Sequence, residues 1–219
     1  MTVVVNSRPL LRRPWFVALL VCGIGVLVVA LAMTFMIKNM GAIMANLPVR
    51  IPVNVQEHYQ SSMKRLSEAT DEYSRWVALP NAALWSVDAE RLGDATAFAR
   101  ELEGLLVKYR TDWNYGNAVS KIHTARGRIA LKRGDVELAK RELSLAGASA
   151  GSPQMDSFGP NLSLARDLLA SGAPGAQEAV FAHFDDVEKF WRMDAGALRV
   201  WREDVRAGRE PNFGAALMH

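Results

Sequence analysis

Residues 15–37, WFVALLVCGIGVLVVALAMTFMI, run twenty-three positions without a charged side chain. No other feature restricts this chain as much. A helix rises 1.5 Å per residue, so about 20 apolar residues cross the ~30 Å hydrocarbon core of a bilayer. A helix on the surface of a soluble domain keeps a polar face, and this segment has none. The run therefore predicts a single-pass anchor over 15–37. Before it lies a cytoplasmic tail, 1–14, too short to fold; after it come a linker, 38–53, and a domain, 54–219, long enough for a core. Two other uses of the run are weaker. Ala30-Leu31-Ala32 fits the pattern of a leader cleavage site, but Met33 to Ile37 stay apolar where a cleavage region turns polar. Cleavage after Ala32 nevertheless stays open. Lipid attachment at Cys22 is disfavoured by the bulky Val21 before it.

The formal charge of +3 is placed unevenly. Arg8, Arg12 and Arg13 precede the run, and the 23 basic residues after them balance 23 acidic ones. The net charge is therefore that of the tail. Arginines before a first span are retained in the cytoplasm, although Lys38 and Arg50 oppose them on the other flank. This predicts an N-terminus in the cytoplasm and the domain outside, in a bacterial envelope the periplasm or cell exterior. A nucleic-acid partner is not expected, because the folded part carries no basic excess. Cys22 is the only cysteine, which excludes an intramolecular disulfide and a zinc site built on cysteines.

Beyond the anchor the pattern is helical throughout. Met33, Met36, Met40 and Met44 form one helical stripe, read as an apolar surface and not as a metal site. Pro48 and Pro52 break it. Asn54 is placed to cap a helix to about Leu79, with Val55, Tyr59, Met63, Leu66, Tyr73, Trp76 and Val77 on one face and Pro80-Asn81 as its end. Further helices are expected at 88–109, 117–133, 135–147, 160–171 with Pro160 as a first helical residue, 175–193 and about 195–207. No alternating run competes as a strand, so the fold class is all-α.

Residues 123–146, HTARGRIALKRGDVELAKRELSLA, resemble a tetratricopeptide repeat. Gly127 and Ala139 stand at the small positions where paired helices approach, Gly134-Asp135 at the turn, and Leu143 and Ala146 on the buried face. Departures are His123 and Arg126, where the family usually has tryptophan and leucine, and a final proline displaced to Pro153. The resemblance implies a stack of helical hairpins, 54–79 with 88–110, 117–133 with 135–147, and 160–171 with 175–193, capped by the last helix through Leu198, Trp201 and Val205. About three such pairs are needed to bury one another's faces. DWNYGNA at 112–118 and the stretch 151–169 look like segments of uncharacterised bacterial helical proteins, which carries no activity.

The chain shows little that reads as chemistry. Gly147 to Gly151 matches G-x-S-x-G, but a nucleophile elbow requires a strand before its serine and a helix directly after. His58, His123, His183 and His219 have no partner at metal-ligand spacing, and no phosphate-binding loop occurs. Residues Asp185, Asp186 and Glu188 beside His183 point to different faces of a helix. Asn161 heads a glycosylation sequon with no other sign of that route. No metal and no cofactor are expected.

The long loop 147–159 is the best candidate for function. Its Gln154, Asp156 and Phe158, with Trp113, Asn114 and Tyr115 of the 111–116 turn, are the expected partner-binding residues, since exposed tryptophan and tyrosine anchor interfaces. The competing assignment makes these aromatics an end-plug of the stack and Asn114 a helix cap. The reading that follows is an adaptor that holds a protein or peptide partner, touches lipid only through 15–37, and does no catalysis of its own. An enzyme or small-ligand receptor with its site between the 112–116 and 151–159 loops, and a structural subunit of a membrane complex, are the alternatives. The sequence carries no signal of oligomeric state.

Overall fold

The computed structural model describes residues 21–22, 24–36, 53–191 and 195–217. The tail, residues 15–20, 23 and 37 of the expected span, the linker to residue 52 with Met40 and Met44, the end of the helix expected at 175–193, and His219 lie outside the described residues. The chain divides into two units, Met1–Met40 and Gly41–His219.

In the first unit residues 24–36 form helix α1, whose side chains are exposed, Val26 and Phe35 among them. Among the described residues no helix is long and apolar enough to cross a membrane.

The second unit is built of helices, with no strand among the described residues: α2 (Val55–Glu68), α3 (Glu72–Asp88), α4 (Leu92–Leu106), α5 (Tyr115–Lys132), α6 (Val136–Gly147), α7 (Pro153–Phe158), α8 (Ser163–Ser171), α9 (Ala176–Glu188) and α10 (Ala195–Arg206), with a 3₁₀ turn at Gly214–Leu217. Local chemistry explains four of the starts. The side chains of Asn54, Asp71, Asp135 and Ser152 accept from the amides of Glu57, Ser74, Leu138 and Met155. Each satisfies a donor that the first helical turn leaves unpaired.

Several expected boundaries are corrected. The single helix to Leu79 is two: it stops at Glu68, the chain is extended at Ala69, and Asp71 starts a new helix that continues through Pro80 to Asp88. Proline inside a helix costs about 3 kcal/mol. Burial of Trp76, Leu79, Leu84, Trp85 and Val87 on the same helix outweighs that cost, since each large apolar side chain contributes about 1.5–3 kcal/mol. The long loop at 147–159 contains α7, whose Ser152-Pro153 start is a cap followed by proline at a first-turn position. Pro160 does not open α8. Asn161 accepts from the Ser163 amide instead, and the Leu162 amide donates to the Ala216 carbonyl, tying the C-terminal turn down.

α3 packs on α4, α5 on α6, and α8 on α9, so the first pair uses α3 where the sequence suggested residues from 54 onward. α2 lies against α3 as an additional helix. Successive pairs meet through α3–α5, α4–α5, α5–α8 and α6–α9. α5 is therefore the central element: Ala118 and Ile122 join a core with Leu66, Trp76 and Leu102, Ala125 and Ile129 a second with Leu84 and Val87, and Ala130 a third with Leu143, Leu164 and Phe184. A Cβ on Gly127 would lie 2.3 Å from Leu164 and 3.0 Å from the Glu142 Cβ. Its missing side chain is what lets α6 and α8 close on α5. Gly134 turns the chain between α5 and α6 at φ +84°, where glycine is favoured. Leu198, Trp201 and Val205 of α10 are buried against the end of the third core, with Trp201 edge-on to Phe213.

His183 seals the α6–α9 contact. It is fully buried, and its Nδ1–H donates to the Leu143 carbonyl at 3.1 Å, leaving Nε2 buried without a partner. Burial pushes its pKa down from 6.5 to about 4. Between those values the unfolded imidazole is protonated and the folded one is not, so the unfolded state binds more protons. The stability from this neutral ring is complete above pH 6.5 and lost as pH falls toward 4. Going from pH 6.5 to about pH 5 should cost about 2 kcal/mol, because a one-proton difference between the two states is worth about 1.4 kcal/mol per pH unit. Urea unfolding across that range measures it, and His183→Gln should remove this part of the slope; an unchanged slope in the variant would exclude His183 as its source.

Candidate functional site

Two glycines join the turn before α5 to the segment after α6. A Cβ on Gly116 would lie 1.7 Å from the Gly151 carbonyl oxygen, so backbone rests on backbone. The buried Ser149 hydroxyl donates to the Gly116 carbonyl at 2.8 Å, and the Gly151 amide donates back to the Ser149 oxygen. The serine of the G-x-S-x-G match is thus a staple between segments, following helix α6 and facing a carbonyl.

This joint brings the two expected loops together. Asn117 of α5 donates from one amide nitrogen to Asn114 Oδ1 and Gln154 Oε1, both at 2.8 Å. Asn114 occupies the cap position of α5, yet its side chain accepts from Asn117 and not from a backbone amide. The Asn114 amide is held by Asp112 Oδ1, which also accepts from Trp76 Nε1. One turn further along α5, Lys121 Nζ donates to Asn81 of α3 at 2.6 Å. Among the described residues no carboxylate pairs with this ammonium, and burial lowers its pKa to about 8. Asn81, Asn114, Asn117, Lys121 and Gln154 therefore form one polar row from α3 across α5 to α7.

The rim of the row is aromatic. Trp113 is 57% exposed and its indole N–H donates to the Tyr73 hydroxyl at 3.3 Å; Tyr73 is 44% exposed and packs on Tyr109. Tyr115 turns the other way, half-buried on the core that holds Ala118 and Ile122. Phe158, at the end of α7, is exposed, and Asp156 is half-buried. Of the six expected residues, Asn114 and Gln154 are brought together through Asn117, Trp113 borders their row, and Tyr115 belongs to the packing. Asn81, Asn117, Lys121 and Tyr73 were missed. Each sits mid-helix or in a first turn, where only the i, i+3, i+7 spacing of 114, 117 and 121 marked a shared face.

Two other histidines, His58 and His123, have partners on neighbouring helices. His58 stacks on Trp85 at 4.3 Å, and His123 Nδ1 lies 2.7 Å from Glu142 Oε2 on α6. Asp185 and Glu188 point toward Arg202 of α10 and away from His183. Among the described residues no group of three or more histidine, cysteine or carboxylate side chains is placed to hold a metal ion. Comparison with known proteins finds no family model, no curated protein and no solved structure that matches this chain.

Proposed function

We propose that this chain is a membrane-anchored interaction adaptor. Residues 15–37 hold it in a bacterial inner membrane with the three arginines on the cytoplasmic side. The tetratricopeptide-like stack of helix pairs then presents a binding face to the periplasm or exterior. The observation that carries this reading is the polar row with its exposed Trp113. The exposed Gln154 amide, held in place by the buried Asn117, suits the carbonyls and amides of another chain, and Trp113 supplies rigid apolar area beside it. A protein that used these groups only for its own packing has no need to leave Trp113 more than half exposed.

A second reading, a small-ligand receptor on the same face, is favoured by Lys121, whose ammonium has the Asn81 amide and, among the described residues, no carboxylate beside it. One experiment separates the two. Full-length protein purified in mild detergent should bring down a stoichiometric protein partner, and Trp113→Ala should lose most of it. Its far-ultraviolet ellipticity should stay unchanged, because the side chain is largely outside the core. Equal recovery by the variant would overturn the adaptor reading at this face. Tyr115→Ala is the wrong probe, since it opens a hole beside the core.

A further inference from the structure

The face shared by α3 and α5 has two chemically different ends. Tyr73, Val77 and Asn81 follow one another on α3 at intervals of four residues, and Trp113, Asn117 and Lys121 keep the same spacing from the turn into α5. Contacts tie the two rows together at both ends: Trp113 donates to the Tyr73 hydroxyl, and Lys121 to Asn81. At the first end Tyr73 and Trp113 are exposed, and so is Val77 one turn along. At the second, Asn81 and Lys121 are half-buried. Eight residues of helix, ~12 Å, separate the ends.

Lys121 differs from the other described lysines. Lys64, Lys108, Lys132, Lys140 and Lys189 each have a carboxylate within ion-pair distance, that of Glu68, Glu72, Glu90, Glu137 and Asp186 respectively. Lys121 has none among the described residues, although burial drives its pKa down. An ammonium carries three N–H donors, and here one of them meets an acceptor, Asn81 Oδ1 at 2.6 Å. A partly desolvated cation without a counter-charge is costly to the folded chain, and an anion placed against it offsets that cost. Asp112 of the neighbouring turn does not serve, since it accepts from Trp76 Nε1 and the Asn114 amide. Among the described residues no other charged side chain acts on Lys121.

We propose that Lys121 seats a carboxylate of an extended partner segment whose apolar side chain, three or four residues away, rests on Tyr73, Val77 and Trp113. This rests on the adaptor reading of the face and names what the partner presents to it. The spacing follows from the ~12 Å between the ends and the ~3.3 Å rise per residue of an extended chain. One ammonium balances one carboxylate, whereas a phosphate dianion needs a second cation, and none acts there among the described residues. The exposed Gln154 amide, bound to Asn117 of the same row, is placed to meet the backbone of such a segment.

The test uses full-length protein in detergent micelles on an immobilised array of end-blocked peptides. Each is built of glycine, serine and threonine and carries one glutamate and, at a separation varied from adjacent to about six positions, one leucine. Binding should peak where the two lie three or four positions apart. Glutamine in place of the peptide glutamate, or Lys121→Gln in the protein, should each lower the signal about tenfold or more, the worth of one charge-assisted contact. A second arm replaces the glutamate by an unblocked carboxyl end at the same distance, and separates a chain end from a side chain as the source of the carboxylate. Binding by the parent should also weaken as pH rises above about 8, because the neutral amine that burial favours does not pair with a carboxylate. Lys121→Gln should show no such step. Absence of binding, binding indifferent to the carboxylate or to its spacing, a parent indifferent to pH, or undiminished binding by Lys121→Gln would each overturn the proposal. Failure of the adaptor reading is a separate result: Trp113→Ala then keeps the protein partner. If the proposal alone fails, Trp113→Ala loses that partner and Lys121→Gln keeps it.

Discussion

Replacing Arg128 with methionine is expected to destabilise the domain by about 3–5 kcal/mol, the cost of breaking a buried ion pair by removing one partner. Arg128 is 3% exposed and stands on α5 between the two neighbouring helices of its layer. Its Nη2 donates to Asp88 at the end of α3 and its Nε to Asp167 of α8, both at 2.7 Å. Without it two carboxylates stay in a largely desolvated place, and Asp167 keeps only the nearby Arg166 as a cation. Methionine fills most of the volume, so the loss reads the charge and not a cavity. Arg128→Lys should recover little, because one ammonium lacks the fork that meets both acids. The companion variant Asp88→Asn/Arg128→Met/Asp167→Asn should recover part of the loss, since the two carboxylates are then neutral amides and only the half-buried Arg166 is left without its acid. Thermal unfolding followed by near-ultraviolet circular dichroism measures all three, with the methionine variant expected about 10 °C lower. A methionine variant as stable as the parent would mean that the triad contributes nothing.

Gly116→Ala is the second large effect, expected at about 3 kcal/mol through forced overpacking. The added methyl would sit 1.7 Å from the Gly151 carbonyl oxygen, and that obstacle is backbone, not a side chain able to swing away. Gly151 itself is held at φ +76° with the Phe190 side chain beneath it, so retreat is blocked on that side as well. The segment after α6 must lift, breaking the bond from Ser149 to Gly116 and moving Gln154 off Asn117. Partner recovery should therefore fall together with stability. Gly104→Ala is the opposite case. It lies in α4 with nothing within 4 Å of an added Cβ. There alanine should stabilise by about 0.5–1 kcal/mol, the helix-propensity difference alone. Equal shifts in the two variants would show that contact at Gly116 is not what matters.

Legibility of the fold followed the range of the interactions. The pair α5–α6 was readable because its turn, cap and small positions lie within a few residues of one another: Gly134 turns the chain, Asp135 caps, and Gly127 and Ala139 admit the neighbour. The stretch 54–88 was misread at Pro80, where a strong local signal is overridden by burial of the residues around it. α7 was missed although Ser152-Pro153 is a fair start signal, because six residues are too few for periodicity to register. At the candidate site, Trp113 and Gln154 stood out as unusual loop residues. Lys121 did not, because a lysine in a helix is ordinarily solvated, and only its placement beside Asn81 makes it otherwise.

What this sequence determines by itself is short-range: an apolar run at 15–37 with its arginines before it, helical content nearly everywhere after it, and the helix starts at Asn54 and Asp135. These follow from side-chain hydrophobicity, helix periodicity and hydrogen bonds over three or four residues. The tertiary structure decided which groups have partners. Arg128 finds its acids 40 and 39 residues away, Lys121 meets an amide 40 residues earlier, and Asn117 reaches Gln154 across 37. Such pairings depend on where helices cross, and burial across the whole domain sets that, not any local pattern.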